Sequence, residues 1–156
     1  FNLFFKDIYP QDNQFQSTFS KKTIKSTVLA RYILSEINNN LSDEEAPRYS
    51  ATSTETDLEH ILPKKFLDHW KTPNKDFPGG ATKFINRLGN MTLISPELNR
   101  RLGNTNFEAK KEVYAKDCLE ITTRILEEEK WTASAINRQQ NWLAGEAVKI
   151  WRFPLN

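Results

Sequence analysis

A histidine beside a carboxylate, with carboxamides returning later in the chain, is a set of side chains able to hydrolyse a phosphodiester. Here Glu59-His60-Ile61-Leu62-Pro63 supplies a base and a metal ligand, and Asn90-Met91-Thr92-Leu93-Ile94 followed by Asn99 supplies two positioning amides. The reaction needs an activated water, in-line geometry and a cation to absorb the charge developing on the leaving oxygen. His60 is the candidate base, because a neutral imidazole is available near neutral pH without a large pKa shift. A hard, oxygen-lined site with few protein ligands suits Mg²⁺, which keeps several waters and accepts phosphate oxygens. Mn²⁺ or another divalent cation is an acceptable substitute, and the metal is shared between protein and substrate. If the segment is extended, Glu59 points away from His60, and Asn99 has to return to it through the fold.

The elements that must position these groups are legible in outline. Residues 56–59 form a short strand candidate that Pro63 closes, and residues 64–70 a short helix. Residues 73–80, ending in Phe77-Pro78-Gly79-Gly80, read as a loop, and residues 84–88 as a further helical turn. Met91-Thr92-Leu93-Ile94 is the second strand. Ser95-Pro96-Glu97 then starts a helix, with a capping Ser, Pro at the first position and an acid in the first turn, so that Asn99 lies inside it.

Around this hairpin the sequence predicts a helical frame. Residues 1–19 carry aromatics without a sustained period and are expected as an irregular arm. Residues 20–40 form a helix capped by Ser20, with Ile24, Val28, Leu29, Ile33 and Ile37 on one face. Residues 42–55 are a polar connection. From residue 107 to about 130 the pattern is helical, with Val113, Leu119, Ile121, Ile125 and Leu126 available for burial. Thr132 starts a last helix with Ala133, Ile136, Leu143, Ala147 and Ile150 in one stripe and Trp151 closing it. The expected fold class is α+β, in three stretches of one domain: an N-terminal arm and helix (1–55), a ββα finger (56–106) and C-terminal helices (107–156).

The 156 residues suit a single domain with a real core, and 38% hydrophobic residues with four Trp, ten Phe and four Tyr argue against disorder. Lys and Arg number 22 against 20 Asp and Glu, a net charge of +2, so a nucleic-acid surface must come from local clustering. A single cysteine, Cys118, rules out an internal disulfide framework and any multi-cysteine zinc site, fits a reducing cytoplasm and is expected in the core. No apolar run is long enough to cross a bilayer. The chain begins with Phe1, which points to a piece of a longer protein with a partner domain upstream.

Taken together, Asp57-Leu58-Glu59-His60-Ile61-Leu62-Pro63, Asn86-Arg87-Leu88-Gly89-Asn90-Met91-Thr92-Leu93-Ile94, Asn99, Asn104-Thr105-Asn106-Phe107 with Lys110 or Lys111 and Tyr114, and the closing Trp131, Ile136, Arg138 and Trp151 carry a family resemblance. Ala30-Arg31-Tyr32-Ile33-Leu34 adds a weaker match. The set resembles the HNH, or His-Me finger, nucleases, and more closely the C-terminal domain of GmrSD-type modification-dependent restriction enzymes. The resemblance implies a ββα-metal finger in which His60 is the general base, Asn90 holds the catalytic loop, and Glu59 and Asn99 bind one divalent cation. Asp57, Asn104 and Asn106 take supporting roles. The implied activity is nicking of DNA in defence against phage or modified DNA, with an upstream nucleotide-hydrolysing domain choosing the target. A double-strand break would need two copies, as in a dimer. Glu at position 59 departs from the commonest HNH pattern, and the four-cysteine zinc of many HNH proteins is excluded.

Plainer roles compete with each of these. His60 taken alone is a hydrogen-bonded core histidine, and Asn90 and Asn99 are turn or cap residues; their order in the chain turns the reading toward chemistry. His69, beside Trp70, is expected to pack or to lie on the surface rather than to bind metal. Lys64, Lys65, Arg87, Arg100 and Arg101 form the candidate phosphate-contacting surface, against an ordinary solvated face. Arg138 either reaches a phosphate or pairs with a nearby acid, and Trp131, Trp142 and Trp151 are core or interface anchors. The alternative to an enzyme is a catalytically silent DNA-binding or regulatory module on the same finger.

Overall fold

The structure, a computed structural model, describes residues 9–66, 70–72, 74–116 and 119–152. In chain order it contains α1 (Asp12–Phe19), α2 (Thr27–Leu41), β1 (Asp57–His60), β2 (Met91–Ile94), α3 (Pro96–Leu102), α4 (Phe107–Tyr114) and α5 (Ala133–Trp151). Three 3₁₀ segments, Ala81–Lys83, Leu88–Asn90 and Glu120–Glu127, lie between them. β1 and β2 pair antiparallel, with Asp57 opposite Ile94, Leu58 opposite Leu93, Glu59 opposite Thr92 and His60 opposite Met91. The class is α+β, a mostly helical frame carrying one hairpin.

The hairpin stands as a wall between two hydrophobic clusters. Every residue of β2 is buried, and its pleat sends alternate side chains to opposite sides. Met91 and Leu93 join Leu34, Ile37, Leu88 and Leu143 in one cluster. Ile94 joins Ile61, Leu62, Phe77, Phe107 and Ile136 in the other. Helix starts follow the capping chemistry of the sequence. The Ser95 hydroxyl accepts from the Leu98 N–H at 3.4 Å with Pro96 next in line, and the Thr132 hydroxyl accepts from the Ala135 N–H at 3.2 Å. Gly103, at φ +51, ends α3 in a conformation that L side chains rarely adopt.

Several expectations are corrected. The helix expected over 20–40 is two elements: α1 ends at Phe19 with Ser20 as its C-cap, and α2 starts after Ser26, whose hydroxyl accepts from the Leu29 N–H at 3.2 Å. Between them the chain is pulled extended, because the Ile24 N–H donates to the Asn86 carbonyl at 2.8 Å and Thr23 bridges to Arg87. The buried side of α2 is Ala30, Leu34, Ser35, Ile37 and Asn38, while Val28 and Leu29 of the expected apolar face are exposed. The rotation lets Asn38 Oδ1 accept from the Ile121 N–H at 3.2 Å. Part of the expected irregular arm is therefore helix, with Phe15 and Phe19 packed on the core. The helical stretch from 107 divides into α4 and the 3₁₀ segment Glu120–Glu127, and β1 lies one residue further on than expected. His69 and Cys118 fall outside the described residues, as does the middle of the helix expected over 64–70.

The polar connection 42–55 is fastened to α2. Arg31 donates through Nη2 to the carbonyls of Ser53 and, at 2.8 Å, Thr56, and Asn39 exchanges two hydrogen bonds with the Tyr49 backbone. These bonds deliver the chain to β1 in register. Among the described residues no helix is long and apolar enough to cross a membrane.

Candidate active site

His60 ends β1, and the turn after it is set by one side chain. Asn90 is fully buried; its Oδ1 accepts from the Leu62 N–H at 2.8 Å and its Nδ2 donates to the Leu62 carbonyl at 2.9 Å and the Ile85 carbonyl at 3.0 Å. Trp131 Nε1 donates to the same Oδ1 at 2.8 Å, and the Ile61 N–H donates to the Asn90 carbonyl at 2.9 Å. All the polar valences of the Asn90 amide that face the loop are used, which fixes the backbone two residues beyond His60. Asn90 in turn is held by close packing of Leu88–Asn90 on α5. A Cβ on Gly89 would lie 2.2 Å from the Ile136 carbonyl oxygen and 2.7 Å from the Gln140 N–H nitrogen, so only glycine fits.

The His60 ring is half-buried, and its Nε2 is buried with no hydrogen-bond partner. Burial pushes its pKa down from 6.5 to about 4, with the positive charges of Lys64 and Lys110 acting in the same direction. The imidazole is therefore neutral at pH 7, with a nitrogen unspent by the fold.

Glu59 is occupied differently from the expectation. It is 5% exposed, and its Oε1 accepts from Lys110 Nζ at 2.5 Å and from the Tyr114 hydroxyl at 3.0 Å. Lys110, with no side-chain exposure, also donates to the His60 carbonyl at 2.9 Å. Burial raises the Glu59 pKa, opposed by the attraction of Lys110, and lowers that of Lys110, opposed by Glu59. Tyr114 is pushed well up by burial and by the neighbouring carboxylate. The expected convergence of Glu59 with Asn99 is thus replaced by an internal ion pair: a cation at Glu59 would have to displace a lysine that the carboxylate needs.

The carboxylate that meets Asn99 is Asp57, which accepts from Asn99 Nδ2 at 3.4 Å. Asp57 and Glu59 share a face of β1 by strand alternation, and His60 belongs to the other. Asp57 and Asn99 are only half-buried, and the carboxylate with the amide oxygen offers two hard ligands. Among the described residues no three His, Cys, Asp or Glu side chains converge. Mg²⁺ needs only one or two carboxylates when waters and phosphate oxygens complete its shell. The Asp57–Asn99 pair fits that requirement and Glu59 does not.

The basic residues divide sharply. Arg87 is engaged inside the fold: its Nε donates to Gln140 Oε1 at 2.8 Å, and its Nη2 to the Ser20 carbonyl at 2.7 Å and Asn137 Oδ1 at 3.2 Å. Arg138 pairs with Glu128 through Nε at 2.9 Å and Nη2 at 2.5 Å, the acid-pairing option of the two foreseen. Lys64, Lys65, Arg100 and Arg101 are exposed. Asn106 is the N-cap of α4, its side chain accepting from the Ala109 N–H at 3.0 Å, and Asn104 is exposed.

Lys110 and Tyr114 had no assigned role in the sequence, although their i, i+4 spacing on α4 puts both on one face and was the available signal. Arg31, through the Ser53 and Thr56 carbonyls, and the Trp131 indole, through the Asn90 side chain, likewise act on the site across distances that only the fold closes. No curated protein matches the chain. The family described as GmrSD restriction endonucleases, C-terminal domain, matches residues 9–146, and this family implies DNA as the substrate class. The chain belongs to the family of GmrSD restriction endonuclease C-terminal domains.

Proposed function

We propose that the domain is an HNH-type, metal-dependent endonuclease that nicks DNA, with His60 as the general base. The observation that carries this reading is the buried, partnerless Nε2 of a neutral imidazole at the end of a strand whose outgoing turn Asn90 locks. Of the buried side-chain atoms without a partner, Arg31 Nε, the hydroxyls of Ser35, Thr56 and Thr105, and His60 Nε2, the neutral imidazole nitrogen is the one suited to take a proton from an attacking water. Its low pKa keeps it unprotonated and costs some basicity; a phosphate drawn close raises it again, since a negative neighbour favours the imidazolium.

Asp57 and Asn99 would hold the divalent cation, Mg²⁺ or Mn²⁺, which when bound supplies charge neutralisation at the leaving 3′ oxygen. Asp57 starts β1 and His60 ends it, roughly 10 Å further along the strand and on the other face, so the DNA backbone has to run along β1 to meet both. Glu59 is a positioning residue: with Lys110 and Tyr114 it fixes α4 against β1, and Lys110 holds the His60 carbonyl. Lys64, Lys65, Arg100 and Arg101 are the phosphate-contacting cations. In a longer protein this activity would serve defence against phage or modified DNA, with target choice by a nucleotide-hydrolysing domain upstream in the same polypeptide and paired cuts from two copies, in the cytoplasm.

The test is plasmid nicking in Mg²⁺ or Mn²⁺. His60→Ala is expected to lose about 10²–10⁴-fold in rate, the range for a general base, and Asp57→Asn to need more metal for the same rate, while Glu59→Gln leaves the metal requirement unchanged. Equal nicking by wild type and His60→Ala would remove His60 as the base. The pairing of Glu59 with Lys110 favours a second reading, a catalytically silent DNA-binding or regulatory module. That reading gains if DNA binds but is not cut in any metal.

A further inference from the structure

A groove of about 530 Å³ opens between Trp70, Lys71, Lys75 and Asp76 on one side and the starts of α4 and α5 on the other. Its floor is aromatic. Trp70 lies 6.4 Å from Phe107, and Phe107 lies 5.3 Å from Trp131, centroid to centroid. Phe107 and Trp131 are each 4% exposed, so Trp70, half-buried, is the ring that presents a face. Both indoles are pinned by their N–H groups, Trp70 to the Thr105 carbonyl at 2.8 Å and Trp131 to Asn90. The rim carries three exposed lysines, Lys71, Lys75 and Lys130. Asp76 and Glu108 add acceptors without cancelling the positive charge, and the Asp76 loop is tied down by the Ala133 N–H at 2.9 Å.

We propose that this groove takes one nucleotide of the DNA substrate, its base against Trp70 and its flanking phosphates on Lys71, Lys75 and Lys130. An anion alone would use the lysines and leave the aromatic floor and the acceptors without purpose. A base offers a π-face to an indole and amino groups to carboxylates, and the flanking phosphates satisfy the lysines. The size lies within the range of small-ligand pockets. The groove is joined to the active site by one hydrogen bond: Trp131 in its floor donates to Asn90 Oδ1, which also holds the Leu62 N–H. The inference rests on the reading of the domain as one that acts on DNA, and not on His60 or a metal.

Fluorescence anisotropy of a short labelled single-stranded oligonucleotide, with the full chain and EDTA present, separates the two. Wild type is expected to bind it at least tenfold more tightly than an otherwise identical abasic strand. The exposed-site variant Lys71→Glu/Lys75→Glu/Lys130→Glu is expected to bind at least tenfold more weakly than wild type. Its log–log salt slope should be shallower by about 1.4, since each of the two phosphates flanking one nucleotide contributes roughly 0.7 on a single strand. Circular dichroism checks that the variant is folded. Absence of binding, equal affinity for the abasic strand, or equal affinity of the triple variant each overturns the proposal. Because no cleavage is read, failure of the nicking reaction and failure of this site are distinguishable.

Discussion

Glu59 and His60 are neighbours in sequence and opposites in environment. The Glu59 carboxylate is buried and takes bonds at Oε1 from Lys110 and Tyr114, whereas the His60 Nε2 is buried and takes none. Strand alternation separates the two sides, and the fold spends its polar groups on one and withholds them from the other. The Glu59 carboxylate holds α4 in place; the His60 nitrogen is left for a ligand. A carboxylate next to a histidine is thus not by itself a catalytic pair, because what each faces decides its use.

The comparison is broken most severely at Lys110. Lys110→Met leaves the Glu59 carboxylate buried without its cation and is expected to cost about 3–5 kcal/mol, read by urea denaturation. Glu59→Gln/Lys110→Met should recover much of that loss, since removing both charges removes the uncompensated one. If the double variant is no more stable than Lys110→Met, the pair is not what holds α4 to β1.

A smaller effect sharpens the His60 side. Its pKa is lowered from 6.5 to about 4 in the fold, so between those values the unfolded chain binds more protons than the folded one. The contribution is fully present above pH 6.5 and is lost as pH falls to about 4. It amounts to at most about 3.4 kcal/mol, at 1.36 kcal/mol per unit. The stability of wild type minus that of His60→Ala should therefore fall over this window; a flat difference would mean that burial does not disfavour the imidazolium.

The smallest effect lies on the surface. Arg138→Ala removes the exposed pair with Glu128 and should change stability by less than about 1 kcal/mol and leave DNA affinity unchanged. Arg100→Ala/Arg101→Ala should weaken DNA binding in a salt-dependent way with stability intact. Weakened DNA binding by Arg138→Ala would return Arg138 to the phosphate surface.

Much of the hairpin was legible in the chain. Met91–Ile94 is the strand the apolar run predicted, and Ser95-Pro96 and Thr132 start helices as their capping chemistry requires. The start of α2 was not legible, because Ile24 and Val28 fit a helical period that the bond from Ile24 to Asn86 overrides. The bonds of Arg87 were not legible for a similar reason: nothing local says that Gln140, 53 residues away, waits for its Nε.

Sequence by itself determined the family resemblance, the α+β class, the hairpin and helix that carry His60, Asn90 and Asn99, and the lack of a cysteine zinc site. These follow from local periodicity, capping and residue type, which act over a few residues. Only the tertiary structure decided that Asp57 rather than Glu59 meets Asn99, that Glu59 is taken by Lys110 and Tyr114, and that Asn90 grips Leu62 while Trp131 grips Asn90. Those contacts join residues 28 to 55 positions apart. Which of two nearby carboxylates is neutralised inside and which remains free is set by what the second helix brings against the strand.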